Sequence, residues 1–189
     1  MAKRTQSQNV KVGRGRDRAG VSEAKAEANA MIDRAIGQVQ ACQKQIDRKA
    51  LHGAYGKQQM VETIYGAVAD LRTHRLATRI KAQLMARLAT SAGALDIVQG
   101  LIVLALPNLQ PAVVANWTCA IHLAEDHHVR PGKVRGFLYV KGGINRCADL
   151  YRKRLTGRDL DNEDETYRPR MLPKRSSRGM PMGMRGLYD

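Results

Sequence analysis

The chain has 189 residues, 43% of them hydrophobic, which is enough for one domain of ordinary size with extensions. Its 32 Lys and Arg residues against 17 Asp and Glu residues give a net charge of +15. Such a surplus is typical of nucleic-acid-binding proteins, and an enzyme acting on small neutral substrates does not need it. Aromatic residues make up only 4%, which favours phosphate contacts with duplex or structured nucleic acid over base stacking on single strands.

Residues 1–20 are predicted to form a basic N-terminal arm. Three glycines, Gly13, Gly15 and Gly20, keep its backbone pliable, and Asp17 is its one acid, so the side chains sum to +5. We expect its cations to contact phosphates; they are Lys3, Arg4, Lys11, Arg14, Arg16 and Arg18. The arm lacks the apolar segment of a secretory signal.

Two helical regions follow, joined by a turn at Leu51–Gly56. The first is predicted over about 22–50, with Ser22 as a candidate N-cap. Its apolar positions recur at helical spacing, and they are Ile32, Ile36, Val39, Cys42 and Ile46. The second region, 57–90, carries two apolar stripes that are out of phase on one straight helix, so we expect a break near residues 71–74.

The second region also carries a basic face formed by Arg72, Arg75 and Arg79. Neither Arg75 nor Arg79 has an acid four residues before it, so the local sequence offers these two no ion-pair partner. We therefore expect an unpaired cationic ridge that contacts phosphates. A solvated helix face is the alternative interpretation of the same pattern.

The segment Ala94–Leu106 is apolar for most of its length and ends before Pro107. It is too short to span a bilayer as a helix, and it indicates a buried core helix. A turn over 107–111 then leads into another helix. The residues expected to face the core there are Val113, Trp117, Ala120 and Leu123 or Ala124.

The segment 134–140 follows a break at 129–133 and is ambiguous. Its β-branched and aromatic residues suit a strand, whereas its neighbours are helical. Residues 144–155 again show helical spacing. These elements together predict an all-α fold, a compact bundle of four to five helices over residues 21–156 with extended basic N- and C-terminal arms.

The last part of the chain, residues 157–189, changes character. It opens with an acidic strip, which we interpret as a solvated linker or a partner for a basic arm of a neighbouring subunit; the acids are Asp159, Asp161, Glu163, Asp164 and Glu165. Residues 167–189 carry +5, so the two arms together carry +10. We expect further phosphate contacts from Arg168, Arg170, Lys174 and Arg175.

No motif in the chain predicts catalysis. P-loop, GxSxG and HExxH patterns are absent from the sequence. The group His122, Asp126, His127 and His128 lacks a third ligand at diagnostic spacing, so surface histidines at a helix end explain it better than a metal site. The three cysteines include no CxxC pair, which predicts buried free thiols. We expect no enzyme, no cofactor and no metal.

The layout of a basic Gly/Arg arm, "MAKRTQSQNVKVGRGRDRAG", an Ala-rich helical bundle and a second extension resembles the major coat proteins of filamentous and rod-shaped archaeal viruses. The resemblance implies a subunit that wraps double-stranded DNA, held in A-form, in a helical filament. It implies a partner copy or a related coat protein, a location in the virion after assembly in the host cytoplasm, and phosphate contacts from the cations of the arm. The long basic C-terminal extension departs from that pattern.

Two further hypotheses stay open. A ribosomal or other ribonucleoprotein component would thread its basic tails into folded RNA and would not assemble with copies of itself. A small enzyme acting on nucleic acid would use the acidic strip and the histidines. The sequence does not distinguish DNA from RNA as the ligand, or assembly with identical copies from assembly with a related protein. It also does not identify the host or show whether a membrane encloses the assembly.

Overall fold

The structure of the protein is a computed structural model that describes residues 14–51, 53–88 and 96–157. These ranges hold seven helices and no strand, which confirms the all-α class. The helices are α1 Arg14–Arg48, α2 Ala54–Thr73, α3 Ala77–Arg87, α4 Ile97–Ala105, α5 Pro111–Asp126, α6 Val134–Val140 and α7 Ile144–Leu155. The described part of the chain thus holds more helices than the four to five predicted.

Helix α1 begins at Arg14, well before the predicted start near Ser22. Arg14, Arg16 and Arg18 therefore lie on helical backbone rather than in a pliable arm. The reason is that extending an existing helix adds one hydrogen bond for each residue fixed, which offsets the cost of about 1 kcal/mol for a glycine such as Gly15 or Gly20. The other predicted phosphate contacts of the two arms lie outside the described residues; they are Lys3, Arg4, Lys11, Arg168, Arg170, Lys174 and Arg175.

Helices α1 and α2 pack as an antiparallel hairpin. The Thr63 hydroxyl of α2 lies 3.3 Å from the Cys42 sulfur of α1, as a hydrogen-bond donor. The predicted apolar positions of α1 point inward, with Ile32 and Val39 fully buried and Ile36 half-buried against the core. The helical spacing of the sequence therefore located the buried face of α1 correctly.

The predicted break in the second region is confirmed, because α2 ends at Thr73 and α3 starts at Ala77. The break lets both apolar stripes reach one core. Val68 and Leu71 are buried from α2, and Ile80 and Leu84 are buried from α3. On one straight helix, one of the two stripes would face solvent.

Helix α4 is the apolar core helix that the sequence predicts. The carboxylate of Asp96 caps its start by accepting the Ile97 backbone N–H at 2.7 Å. Gly100 faces α3 so closely that an added Cβ would lie 2.5 Å from a Leu84 methyl carbon. In α5, Trp117, Ala120, Leu123 and Ala124 are buried as predicted, and Val113 is half-buried against the core. Val114 is buried as well, which was not predicted from the sequence.

The ambiguous segment 134–140 is a helix, α6. Val134 and Leu138 are four residues apart and both fully buried, which is the spacing of one helix face. The backbone N–H of Arg135 donates to the Glu62 carboxylate of α2 at 3.1 Å, so a tertiary contact satisfies an N–H at the start of the helix. The β-branched composition suggested a strand, but packing against α2 decides for the helix.

Candidate nucleic-acid interface

Charge is distributed unevenly over the described bundle. Residues 20–157 contain 19 Lys and Arg against 10 Asp and Glu, a net charge of +9. Of this surplus, residues 130–157 hold eight cations against one acid, Asp149, which leaves only +2 for the rest. No charged side chain is buried within the described residues, so this charge lies at the surface. The bundle itself is therefore basic, and it is basic mainly at its C-terminal end.

We call residues 130–154 the basic segment. Its cations lie on the α5–α6 loop, on α6, on the turn before α7 and on α7. They are Arg130, Lys133, Arg135, Lys141, Arg146, Arg152, Lys153 and Arg154. Arg130 and Lys133 are exposed and have no acidic partner among the described residues. The excess of cations in this segment is visible in the sequence as a local count of charges, but it was not predicted as a contact surface because the two arms carry more of the net charge.

Helix α7 holds its cations beside α5. Cys147, Ala148 and Leu150 form its buried face, so the following cations project near the surface. Arg152 donates to the Asn116 side-chain oxygen at 2.5 Å, and Arg154 pairs with Asp126 at 3.3 Å. These partners hold the end of α7 against α5 while leaving both guanidinium groups exposed at the surface.

The expectation of an unpaired ridge at Arg72, Arg75 and Arg79 is wrong. Arg75 pairs with Glu27 of α1 at 2.8 Å. Arg72 pairs with Glu125 of α5 and, at 3.3 Å, with Asp96. Local spacing could not reveal these partners, because each acid lies far away in the sequence and is brought close only by helix packing.

Arg79 differs from the other two arginines of that face. It is exposed, and its guanidinium lies 3.5 Å from the Val21 carbonyl oxygen. Within the described part of the chain it has no acidic partner. Of the three arginines predicted as phosphate contacts on this face, Arg79 alone keeps an uncompensated charge there.

Four charged side chains form a closed ring between α2, α4 and α5, which we call the charged tetrad. It consists of Arg72, Asp96, His122 and Glu125. His122 Nε2 lies 2.9 Å from Asp96 Oδ2, and its Nδ1 lies 2.9 Å from Glu125 Oε2. Arg72 contacts both carboxylates from the other side. The ring of His122 also stacks on Tyr151 of α7, with centroids 5.5 Å apart.

The pKa values of the tetrad explain its charge state. Hydrogen bonds to Asp96 and Glu125 outweigh burial and raise the pKa of His122 to about 9. Burial acts to raise the pKa of Asp96, but the His122 hydrogen bond and the charges of His122 and Arg72 lower it to about 2. At neutral pH the tetrad thus contains two cations and two anions. The interpretation of His122 as a surface histidine is wrong, and the tetrad adds no net charge to the surface.

A cavity of about 660 Å³ lies between the α1–α2 turn, the start of α5 and the turn before α7. Its lining includes Lys57, Asn116 and Asn145, with Trp117 as a large apolar surface, and holds no acidic residue. The first turns of α2, α5 and α7 border it, and none of them contains an acid. The lining thus carries one cation, Lys57, and no acid.

None of the three cysteines, all of which lie within the described residues, forms a disulfide; Cys42 and Cys147 are buried, as predicted, whereas Cys119 is half-buried. Across residues 14–51, 53–88 and 96–157, no group of His, Cys, Asp and Glu is arranged to hold a metal ion. The same residues include no helix that is long and apolar enough to cross a bilayer. The chain matches no protein-family model, no curated protein and no solved structure. Surface charge is thus the feature on which a function can be argued.

Proposed function

We propose that the protein is a structural nucleic-acid-packaging protein that binds duplex nucleic acid through phosphate contacts, without reading its sequence. The observation that carries this proposal is the basic segment, which contains eight cations and one acid along residues 130–154. Phosphate contacts of this kind release counterions and give affinity that is independent of base sequence. No enzyme activity, cofactor or metal belongs to this proposal.

Within this proposal, the cations divide by their surroundings. Arg130, Lys133 and Arg79 keep charges that no acid compensates among the described residues, so they are assigned to phosphate. The intramolecular pairs of Arg72 and Arg75 make these two mainly structural. The cations of the two arms are proposed as additional contacts, consistent with the charge of +5 in each arm.

The more specific form of the proposal is a viral major coat subunit that assembles on duplex DNA into a helical filament and resides in the virion. It rests on the layout of basic arm, Ala-rich bundle and second extension. The alternative is a component of a ribonucleoprotein that contacts folded RNA. Two exposed tyrosines, Tyr139 within the basic segment and Tyr55 on α2, could contact unpaired bases, which supports this alternative.

The first test is the salt dependence of binding to a short duplex of arbitrary sequence, measured by fluorescence anisotropy. The logarithm of the binding constant should fall linearly with the logarithm of salt concentration, by about 0.9 for each phosphate contacted. The double variant Arg130→Gln/Lys133→Gln should lower the slope by about 2 and weaken binding equally for unrelated sequences.

The matched control is Lys44→Gln/Lys49→Gln, which removes two exposed cations of α1 and its end, outside the basic segment. It should leave the slope nearly unchanged. An equal decrease of the salt-dependence slope in both variants would show that binding depends on overall charge, and it would contradict the role of the basic segment. A wild-type slope near zero, or strong preference for one sequence, would overturn the proposed function itself.

A further inference from the structure

Two exposed tyrosines and one arginine lie on α2 and α6, two helices that pack on each other. Tyr55 and Tyr139 are 52% and 56% exposed. Arg135 contacts the first of them, because its Nη1 donates to the Tyr55 hydroxyl at 2.7 Å and its guanidinium carbon lies 4.9 Å from the Tyr55 ring centroid. Tyr139 follows Arg135 by four residues on α6, so the two side chains are neighbours on the helix surface. We call these three residues the tyrosine surface.

The tyrosine surface contributes little to the core. The buried face of α6 consists of Val134 and Leu138, both fully buried. The start of α2 is buried through Gly56 rather than Tyr55. Both rings are more than half exposed, so most of their aromatic surface is available for contacts with a ligand.

The electrostatic setting of this surface is positive. Lys133 precedes α6 and is exposed, and Arg135 holds its guanidinium over the Tyr55 ring. Glu62 is an acid that contacts this surface; its side chain is half-buried, and its carboxylate accepts the Arg135 backbone N–H. A polyanion can therefore place phosphates near Lys133 while its bases reach the rings.

We propose that the tyrosine surface stacks unpaired bases, so that the protein binds single-stranded nucleic acid there. The inference rests on the proposed function, which supplies the polyanion. Aromatic rings and guanidinium planes stack on bases of any sequence, while neighbouring cations follow the backbone. In a duplex the bases are already stacked on each other, so this surface acts on single strands, loops or ends rather than on base-paired DNA.

The experiment compares full-length wild type with two double variants by anisotropy, using a labelled oligothymidine and a duplex of equal length. Tyr55→Leu/Tyr139→Leu keeps apolar side chains but removes both rings. Tyr55→Phe/Tyr139→Phe keeps both rings and removes only the hydroxyls. The Leu variant should bind oligothymidine about ten- to a hundredfold more weakly, with duplex binding unchanged, whereas the Phe variant should resemble wild type for both ligands.

Several outcomes would overturn the inference while leaving the proposed function standing. They are unchanged oligothymidine binding by the Leu variant, an equal loss for single strand and duplex, or an equal loss in the Phe variant. Failure of the wild type to bind either ligand would overturn both proposals. If the Leu variant unfolds, the inference is tested instead by photocrosslinking of the wild type to an oligonucleotide that carries 5-iodouracil. Crosslinks at Tyr55 or Tyr139 support the inference, and crosslinks only at other residues overturn it.

Discussion

At the scale of single residues, His122 shows how far a side chain's role depends on distant neighbours. Its own helix supplies Glu125, three positions on, but Asp96 comes from the cap of α4 and the stacked ring of Tyr151 comes from α7. Each of its two ring nitrogens lies against a carboxylate, Nε2 against Asp96 and Nδ1 against Glu125, so the protonated imidazole donates to both and links α4 to α5. Of these three partners, only Glu125 lies near His122 in the sequence, so the local pattern of residues could not predict the other two.

The charged tetrad makes stability depend on pH above neutrality. The folded pKa of His122, about 9, lies above its ordinary value of 6.5, so its stabilisation is complete below pH 6.5 and is lost as pH rises through 9. We expect His122→Gln to lower the free energy of unfolding by about 2 kcal/mol at pH 6. The difference from wild type should shrink towards zero near pH 9.5, as measured by urea denaturation at each pH.

His127→Gln is the control for that measurement, because His127 is exposed and has no carboxylate partner among the described residues. It should leave stability within a few tenths of a kcal/mol across the same pH range. A constant difference between wild type and His122→Gln from pH 6 to pH 9.5 would show that the side chain acts through packing on Tyr151 rather than through its charge.

At the scale of helices and turns, close backbone contacts decide how the bundle closes. Gly56 in the first turns of α2 sits against the Leu51 carbonyl, and an added Cβ would lie 1.7 Å from that oxygen. In the turn itself, Ala50 lies two residues after α1 and has a φ of 51°, and the Leu51 N–H donates to the Ile46 carbonyl at 3.0 Å. The sequence predicted a turn here, but it did not show which of its glycines is required for the close contact between α2 and the turn.

Gly56→Ala is expected to lower the free energy of unfolding by about 3 kcal/mol, because α2 must move away from the turn to admit a methyl group. The midpoint of urea denaturation measures the loss. Gly66→Ala, in the same helix, is the matched control. An added Cβ there meets no atom within 4 Å, so alanine should raise stability by up to about 1 kcal/mol through its better helix propensity. Similar effects of both changes would contradict the close contact at Gly56.

Helices and breaks could be predicted from the sequence where the helical spacing of apolar residues agrees with the way the helices pack. The breaks before α2 and between α2 and α3 follow from glycines and from apolar stripes out of phase, and the structure confirms both. Two elements were not predictable in this way. Helix α6 depends on the cap from Glu62 and on packing against α2, and the start of α1 extends into a segment whose glycines suggested a flexible arm.

At the scale of the whole molecule, charge is separated from the core. The described interior is entirely apolar, and the surplus charge collects on the basic segment rather than spreading evenly. A positive surface of this kind repels other copies until a polyanion screens it. Assembly on nucleic acid, rather than of the protein alone, is the behaviour that follows from the proposed coat function.

Electron microscopy of the full chain with and without duplex DNA checks this expectation. We expect regular filaments with DNA at low salt, dispersed protein without DNA, and loss of the filaments at high salt, as counterions compete for phosphates. The double variant Arg130→Gln/Lys133→Gln should form fewer filaments at the same salt concentration. Protein that binds folded RNA and stays monomeric with every ligand would contradict the coat function and support the ribonucleoprotein alternative.

The amino-acid sequence by itself determined the helical class, the buried faces of most helices and the excess of positive charge, because periodicity and composition are properties of the chain alone. The tertiary structure decided which charges remain available. It pairs Arg72 and Arg75 with acids distant in sequence, closes the tetrad around His122 and brings Tyr55 beside Arg135. Ion pairs and stacked rings form over a few ångströms, and only packing of the helices sets those distances.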